Sequence, residues 1–302
     1  PEHPSTPAAT SSGVDEYYMS FLVDRVAHAV VAADAARRPA KLALAIGSMP
    51  SNTQSCWSSY PYIDDQAMPV MQARDESGHV IFTLADVSTH AETFAFSGVP
   101  SYVTTLSADW PGAMRAALQA RWPGSVGVEV AGMVGSVETP TVYEPETTQV
   151  LRVPGAFHGV AGNPDGCSSV YPQPSSGTPV SEARQFIAAY GRSVADATAA
   201  ALAKGHVVTP TVLQGQHSSV CVQLENNLFV AAAAAGLFPD RPLYADPGCT
   251  VGAPLSGSVA PPGESSTSGS TSGLPPTWLK TDVGVVTLGP AQLAYSPGEV
   301  FP

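Results

Sequence analysis

The chain has 302 residues, which is enough for one large domain or two ordinary ones. Apolar residues make up 44% of it, whereas Asp, Glu, Lys and Arg make up only 13%, about half of the roughly 25% typical of soluble domains. This composition excludes a coiled coil and a charged disordered chain. The net charge of −12 argues against a nucleic-acid binder, which needs clustered Lys and Arg.

The four cysteines are Cys56, Cys167, Cys221 and Cys249, and none belongs to a C-x-x-C pair, which argues against a structural zinc site. An even number of cysteines in a chain that is poor in Lys and rich in Ser, Thr, Pro and Gly is typical of a secreted protein with two disulfides. Of the three possible pairings we predict Cys221–Cys249 with Cys56–Cys167. The alternative is four buried thiols in a cytosolic protein.

The predicted elements begin with a helix that Ser12 caps, with Asp15 and Glu16 in its first turn, and that ends near Arg38. The later elements alternate in type, and in chain order they are a strand at 41–47, strands at 67–73 and 79–87 joined by a turn at 75–78, a helix at 113–122, a strand at 126–135, a helix at 181–204, and strands at 207–213, 218–224, 283–289 and 291–296.

This alternation predicts an α/β fold, with mixed β-sheets flanked by helices, because the hairpin excludes a purely parallel sheet. No internal repeat or domain boundary is evident, so we expect one large domain over residues 1–302. Residues 254–276 are of low complexity and predict a surface loop. No apolar run approaches the roughly 20 residues that span a bilayer.

Two positions combine a polar side chain with the end of a predicted strand. His90 follows the strand at 79–87, and a neutral imidazole at a sheet edge can bind a metal or act as a base. Glu299 follows a Pro-Gly turn after the last strand, and a single carboxylate suits a metal such as zinc. Taken singly, each has an ordinary alternative: a hydrogen-bonded structural histidine and a solvated glutamate.

Residues 107–112, with the sequence SADWPG, predict a helix start in which Asp109 is the cap and Pro111 lies in the first turn. His3 lies in the Pro- and Ser-rich N-terminal segment. No H-E-x-x-H set, G-x-S-x-G elbow, P-loop or G-x-G-x-x-G fingerprint occurs, so common hydrolase and nucleotide-binding motifs are excluded.

In their order, these features resemble the N-terminal catalytic region of the neutral/alkaline, non-lysosomal ceramidase family, over most of residues 13–302. The resemblance begins with a helix followed by a strand (GVDEYYMSFLVDRVAHAVVAADAARRPAKLALAIG). It continues through a strand, a D-x-x-G turn and a strand leading to a histidine, then the SADWPG segment, and it ends at a P-G-E turn. It implies that His90 and Glu299 are zinc ligands. His3 is the only candidate for the family's first zinc histidine, although it matches the H-x-H-x-G-P motif poorly. The family's fourth ligand, a tyrosine, lies beyond the P-G-E turn.

The sequence departs from the family pattern at two further places. The family usually has an Asn-Arg pair before the hairpin, whereas here Asn52 is followed by Thr53. In the turn that resembles the family's G-D-x-[SN]-P motif, Ser136 replaces the acidic residue and Glu138 stands where the family has Ser or Asn.

The resemblance implies a secreted or cell-surface zinc-dependent amidohydrolase that cleaves the N-acyl bond of ceramide or a related lipid amide with a Zn²⁺-activated water. Glu138 or Asp109 would orient that water or accept its proton. The expected partners are the lipid substrate, a membrane surface, and a C-terminal segment that completes the site, since we expect the chain to be a processed or truncated piece.

Two alternatives stay open. One is a ceramidase-like binding protein at the cell surface whose active site has eroded. The other is a zinc hydrolase of a non-lipid ester or amide.

Overall fold

The structure, a computed structural model, describes residues 15–50, 65–92, 106–135, 180–208, 212–225, 229–230, 242–252 and 276–300. These residues fall into two compact units. The larger unit takes its residues from Arg38–Gln214, Thr287–Gln292 and Gly298–Pro302. The smaller unit takes its residues from Pro1–Arg37, Gly215–Val286 and Leu293–Pro297.

A five-stranded mixed sheet forms the centre of the larger unit. Its strands, in chain order, are β1 (Lys41–Ser48), β2 (Ala67–Arg74), β3 (Val80–Val87), β4 (Val126–Ala131) and β5 (His206–Val208). Across the sheet the order is β4-β3-β2-β1-β5. The β3–β4 pair is parallel and the other three pairs are antiparallel, which confirms the predicted mixed α/β fold.

Two helices, α2 (Asp109–Arg121) and α3 (Val180–Leu202), supply the apolar side chains that cover one face of this sheet. Side chains alternate between the faces of a strand, so Met68 and Val70 join the helices' core while Met71 and Ala73 face the other way. The helix contribution to the core includes several fully buried residues, namely Trp110, Met114, Leu118 and Val194.

The two helices approach each other closely at Gly191 of α3. A Cβ at this position would lie 2.6 Å from the Met114 backbone nitrogen and 2.7 Å from the Trp110 carbonyl oxygen. Only glycine fits between these backbone atoms without moving a helix. Gly191 therefore sets how near α3 lies to the first turn of α2.

The second sheet has four strands and belongs mostly to the smaller unit. The strands are β6 (Leu213–Leu224), β7 (Leu243–Tyr244), β8 (Thr277–Leu288) and β9 (Ala291–Tyr295), and β8 pairs with each of the other three. The disulfide Cys221–Cys249 joins β6 to the loop after β7, with 5.9 Å between the Cα atoms. This confirms one predicted pairing, whereas Cys56 and Cys167 lie outside the described residues.

Helix α1 (Glu16–Ala35) starts later than predicted. Its cap is Asp15, whose carboxylate accepts the Tyr18 N–H at 2.9 Å, so the placing of Asp15 inside the first turn was wrong. Ser12 lies outside the described residues. None of the described helices is both long and apolar enough to span a membrane.

Other element bounds also differ from the sequence predictions. Strand β8 begins at Thr277 rather than near 283, and the predicted strand at 218–224 is part of the longer β6. Strand β4 ends at Ala131 rather than near residue 135. The low-complexity residues before Pro276 lie outside the described residues.

Candidate functional site

His90 and Glu299, which the sequence singled out 209 residues apart, lie in contact in the larger unit. The imidazole Nε2 is 3.0 Å from Glu299 Oε1. The Glu299 backbone is held by its neighbours. Gly298 has φ +85°, a conformation that favours glycine, and the Gly135 N–H donates to the Val300 carbonyl at 2.9 Å. The His90 side chain is 22% exposed and that of Glu299 61%, so the histidine is the more constrained partner.

The His90 segment, residues 88–90, continues past the end of β3 and is anchored residue by residue. Ser88 Oγ accepts the Met133 N–H at 3.1 Å. The Thr89 side chain, which is buried, interacts with the Tyr190 hydroxyl and lowers its pKa. The His90 carbonyl accepts the indole N–H of Trp110 at 2.9 Å. Each residue of the segment is thus fixed to a different neighbour.

Asp109 does not cap α2 as predicted. Ala108 is at the cap position and makes no side-chain hydrogen bond, while Asp109 is itself the first helical residue. Its φ is +46°, a left-handed conformation that costs an L-residue about 1–2 kcal/mol. Its carboxylate accepts the Trp110 N–H at 2.7 Å, and its own N–H donates to Ser107 Oγ at 3.0 Å. These bonds hold a buried carboxylate at the start of the helix that carries Trp110.

Tyr190 of α3 is a neighbour of the site that the sequence analysis missed. It is 3% exposed and packs edge-to-face on Trp110, with 5.4 Å between the ring centroids. Burial raises the pKa of Tyr190 above its ordinary value; the Thr89 side chain opposes this rise, and the Asp109 charge adds to it. The hydroxyl therefore stays neutral. Only the helical apolar pattern of α3 marks Tyr190 in the sequence, and that pattern indicates a core residue.

Three carboxylates, those of Asp65, Asp86 and Glu129, lie near the start of the His90 segment. Burial, followed by the charge of Asp86, raises the pKa of Glu129 to about 7. Burial and the charge of Asp65 raise the pKa of Asp86. Ser88 Oγ lies 3.4 Å from Asp65 Oδ2. The sequence carries a signal for two of them, because Asp86 and Glu129 interrupt otherwise apolar strands.

The donor chemistry of His90 and Glu299 fits zinc, which binds imidazole nitrogen and carboxylate oxygen. A catalytic zinc usually has three protein ligands. Within the part of the chain that the structure describes, no group of three or more His, Cys, Asp or Glu side chains is placed to hold a metal. The other predicted site residues, His3 and Glu138, lie outside the described residues.

Comparisons with known proteins agree with the geometry at the level of the fold. No protein-family model matches the sequence, and no curated protein sequence matches it. Among solved structures, the neutral ceramidase from Pseudomonas aeruginosa is similar, with a TM-score of 0.53 and 14% identity over 98% of this chain and 47% of that one. A ceramidase complexed with C2 matches with a TM-score of 0.42 and 13% identity over 87% of this chain and 42% of that one. This chain spans about half the length of these ceramidases, and its fold is distantly similar to that of the Pseudomonas aeruginosa neutral ceramidase.

Proposed function

We propose that this chain, which has a ceramidase-like fold, carries the zinc site of an amidohydrolase that cleaves the N-acyl bond of ceramide or a related lipid amide. The contact between His90 and Glu299 is the observation that carries the proposal. It joins two side chains of the kind that bind zinc, from the two distant positions at which the resemblance to the ceramidase family implies ligands.

An amide resists hydrolysis because its carbonyl is a weak electrophile and its nitrogen leaves poorly. When bound, zinc lowers the pKa of a coordinated water to about 7 and polarises the carbonyl. In this proposal His90 and Glu299 hold the metal, and His3 is a third ligand. Glu138 or Asp109 orients the water or accepts its proton.

The proposal includes a location outside the cytosol, at the cell surface or in the extracellular medium. The disulfide Cys221–Cys249 supports it, because structural disulfides persist in oxidising compartments.

The direct test is the metal content of the purified protein, by elemental analysis without chelators, for the wild type, His90→Ala and His79→Ala. His79 is the matched control because it lies at the other end of β3, in the connection from β2, and its side chain is 82% exposed. We expect about one zinc per chain in the wild type and in His79→Ala, and much less in His90→Ala. The wild type should then release fatty acid from a ceramide but not from non-lipid amides or esters.

A binding protein with this fold is the second candidate, because the sequence departs from the family pattern at Thr53, at Ser136 and around His3. A wild-type protein that holds no zinc would rule out the metalloenzyme and favour this candidate. A zinc protein that cleaves only non-lipid esters or amides would retain the metal site and change the substrate.

A further inference from the structure

We propose that Trp110 and Tyr190 are positioning residues for His90: they hold the backbone of residues 89 and 90 so that the imidazole meets Glu299. This inference rests on the proposed function of His90 as a ligand. It adds two aromatic residues that neither the motif pattern nor the fold similarity assigns to the site.

The His90 segment is not held by strand pairing. Strand β3 ends at Val87, and its pairing with β4 ends there too, at Val87 opposite Ala131. A segment beyond a sheet takes its conformation from other contacts, because nothing else fixes its dihedral angles. The geometry at His90 therefore depends on what its neighbours bind.

Trp110 is placed to fix the backbone of His90. Its side chain is fully buried, and its indole has a single polar atom, the N–H. That N–H donates to the His90 carbonyl at 2.9 Å. A buried donor left without an acceptor costs about 1–3 kcal/mol, so moving the His90 carbonyl away carries that penalty.

Tyr190 contacts both Trp110 and Thr89, the residue before His90. Its ring meets the Trp110 ring edge-to-face, with planes at 89°, which is a favourable arrangement for two aromatic rings. Its hydroxyl interacts with the Thr89 side chain. Two consecutive residues of the segment are thus tied to an aromatic pair from two different helices.

Of the two side chains in contact, His90 rather than Glu299 needs this support. Glu299 is the more exposed side chain, and it can follow its partner by rotating. His90 is mostly buried, so its backbone determines where Nε2 lies. A metal site needs its ligating side chains held within about 0.5 Å of the binding geometry by the residues packed behind them.

The test uses Trp110→Phe, which keeps an aromatic ring against Tyr190 but removes the N–H, and Tyr190→Phe, which keeps the ring and removes the hydroxyl. The control is Trp122→Phe, at the other end of α2, where the tryptophan is only partly buried. Far-ultraviolet circular dichroism and thermal unfolding identify any variant that fails to fold. Because the two variants alter different anchors, one folded variant suffices.

Two measurements are made on each protein. The first, on metal-free protein labelled with ¹⁵N-histidine, is the chemical shift of His90 Nε2, which reports its contact with Glu299. The second is the dissociation constant for Zn²⁺ alone, by competition with a chromophoric chelator. We expect a changed shift and zinc affinity about tenfold weaker in Trp110→Phe and Tyr190→Phe, with neither change in Trp122→Phe.

Folded Trp110→Phe and Tyr190→Phe with the wild-type Nε2 shift and zinc affinity within twofold would overturn the inference. A wild type that binds no zinc would overturn the proposed function instead. The metal-free shift would still decide whether the aromatic pair positions His90, so the two failures are distinguishable.

Discussion

The His90 segment and the Asp246 loop (residues 245–252) both follow the end of a strand, yet they are stabilised by different interactions. The His90 segment binds buried side chains of two helices, among them Trp110 and Tyr190. Most residues of the Asp246 loop are exposed, and the loop is closed by the disulfide of Cys249 and by one carboxylate.

Asp246 closes its loop through backbone amides. Its carboxylate accepts N–H groups from Gly248, Thr250 and Val251 at 3.0, 2.9 and 2.6 Å. Cys249 has φ +51°, an unusual conformation for a residue other than glycine. The comparison teaches that a loop with little core beneath it relies on a covalent link and local hydrogen bonds, whereas a loop above a core relies on distant side chains.

The largest expected effect comes from removing the covalent link, in the variant Cys221→Ala/Cys249→Ala. The closed loop spans 28 residues, for which chain entropy alone predicts a loss of about 3.5 kcal/mol. Urea unfolding measures this loss, and amide hydrogen exchange should localise it to residues 245–252. The His90 segment should exchange as in the wild type.

The control for this prediction is the same comparison under a reductant, where wild type and variant should unfold at the same urea concentration. A variant as stable as the oxidised wild type would mean that the carboxylate and backbone bonds suffice to close the loop.

A smaller effect is expected from Gly191→Ala, which acts on the core beneath the His90 segment. A Cβ there lies 2.6 Å from the Met114 nitrogen, so α2 and α3 must separate. Such overpacking costs about 1–3 kcal/mol. The measurement is the free energy of unfolding in urea, with hydrogen exchange of residues 88–90 as the local readout.

Gly215→Ala is the matched control, because no atom lies within 4 Å of a Cβ at that position. We expect its stability to stay within about 0.5 kcal/mol of the wild type. If Gly191→Ala behaves like Gly215→Ala, the helices adjust freely and the His90 segment does not depend on their spacing.

Much of the fold, and two residues of the candidate site, could be predicted from the sequence. The mixed sheet and the long helices follow from local patterns, and the structure confirms them. Four cysteines leave three possible pairings, of which the structure confirms the predicted pair Cys221–Cys249. His90 and Glu299 were singled out because each follows a predicted strand, and their roles as ligands were implied by the resemblance to the ceramidase family. Their contact required the fold, since 209 residues separate them.

Three features of the site have no local signature. Tyr190 has the sequence pattern of an ordinary buried helix residue, and its interaction with Thr89 depends on how α3 lies over the sheet. Asp109 was predicted as a cap because Pro111 in the first turn indicates a helix start, but Asp109 is the first helical residue and has a left-handed conformation, with hydrogen bonds to Ser107 and Trp110. The raised pKa of Glu129 depends on burial, which strand alternation alone does not fix.

The smallest expected effect is on the dependence of stability on pH, to which Glu129 and Asp246 should contribute in opposite directions. Burial raises the pKa of Glu129 from 4.5 to about 7, so the folded state binds more protons than the unfolded state between these values. Stability should therefore fall as the pH rises through this window, by about 1–2 kcal/mol after allowance for solvent screening. The hydrogen bond from Val251, and then those from Thr250 and Gly248, lower the pKa of Asp246, so its contribution to stability is lost in the opposite direction, as the pH falls below its ordinary value of 3.8.

Urea unfolding of Glu129→Gln at several pH values should give a flatter dependence of stability on pH between pH 4.5 and 7. The exposed Glu76→Gln should keep the wild-type slope. Equal slopes in the wild type and both variants would mean that Glu129 is hydrated in the folded protein, and the region around the His90 segment would then be less buried than its packing indicates.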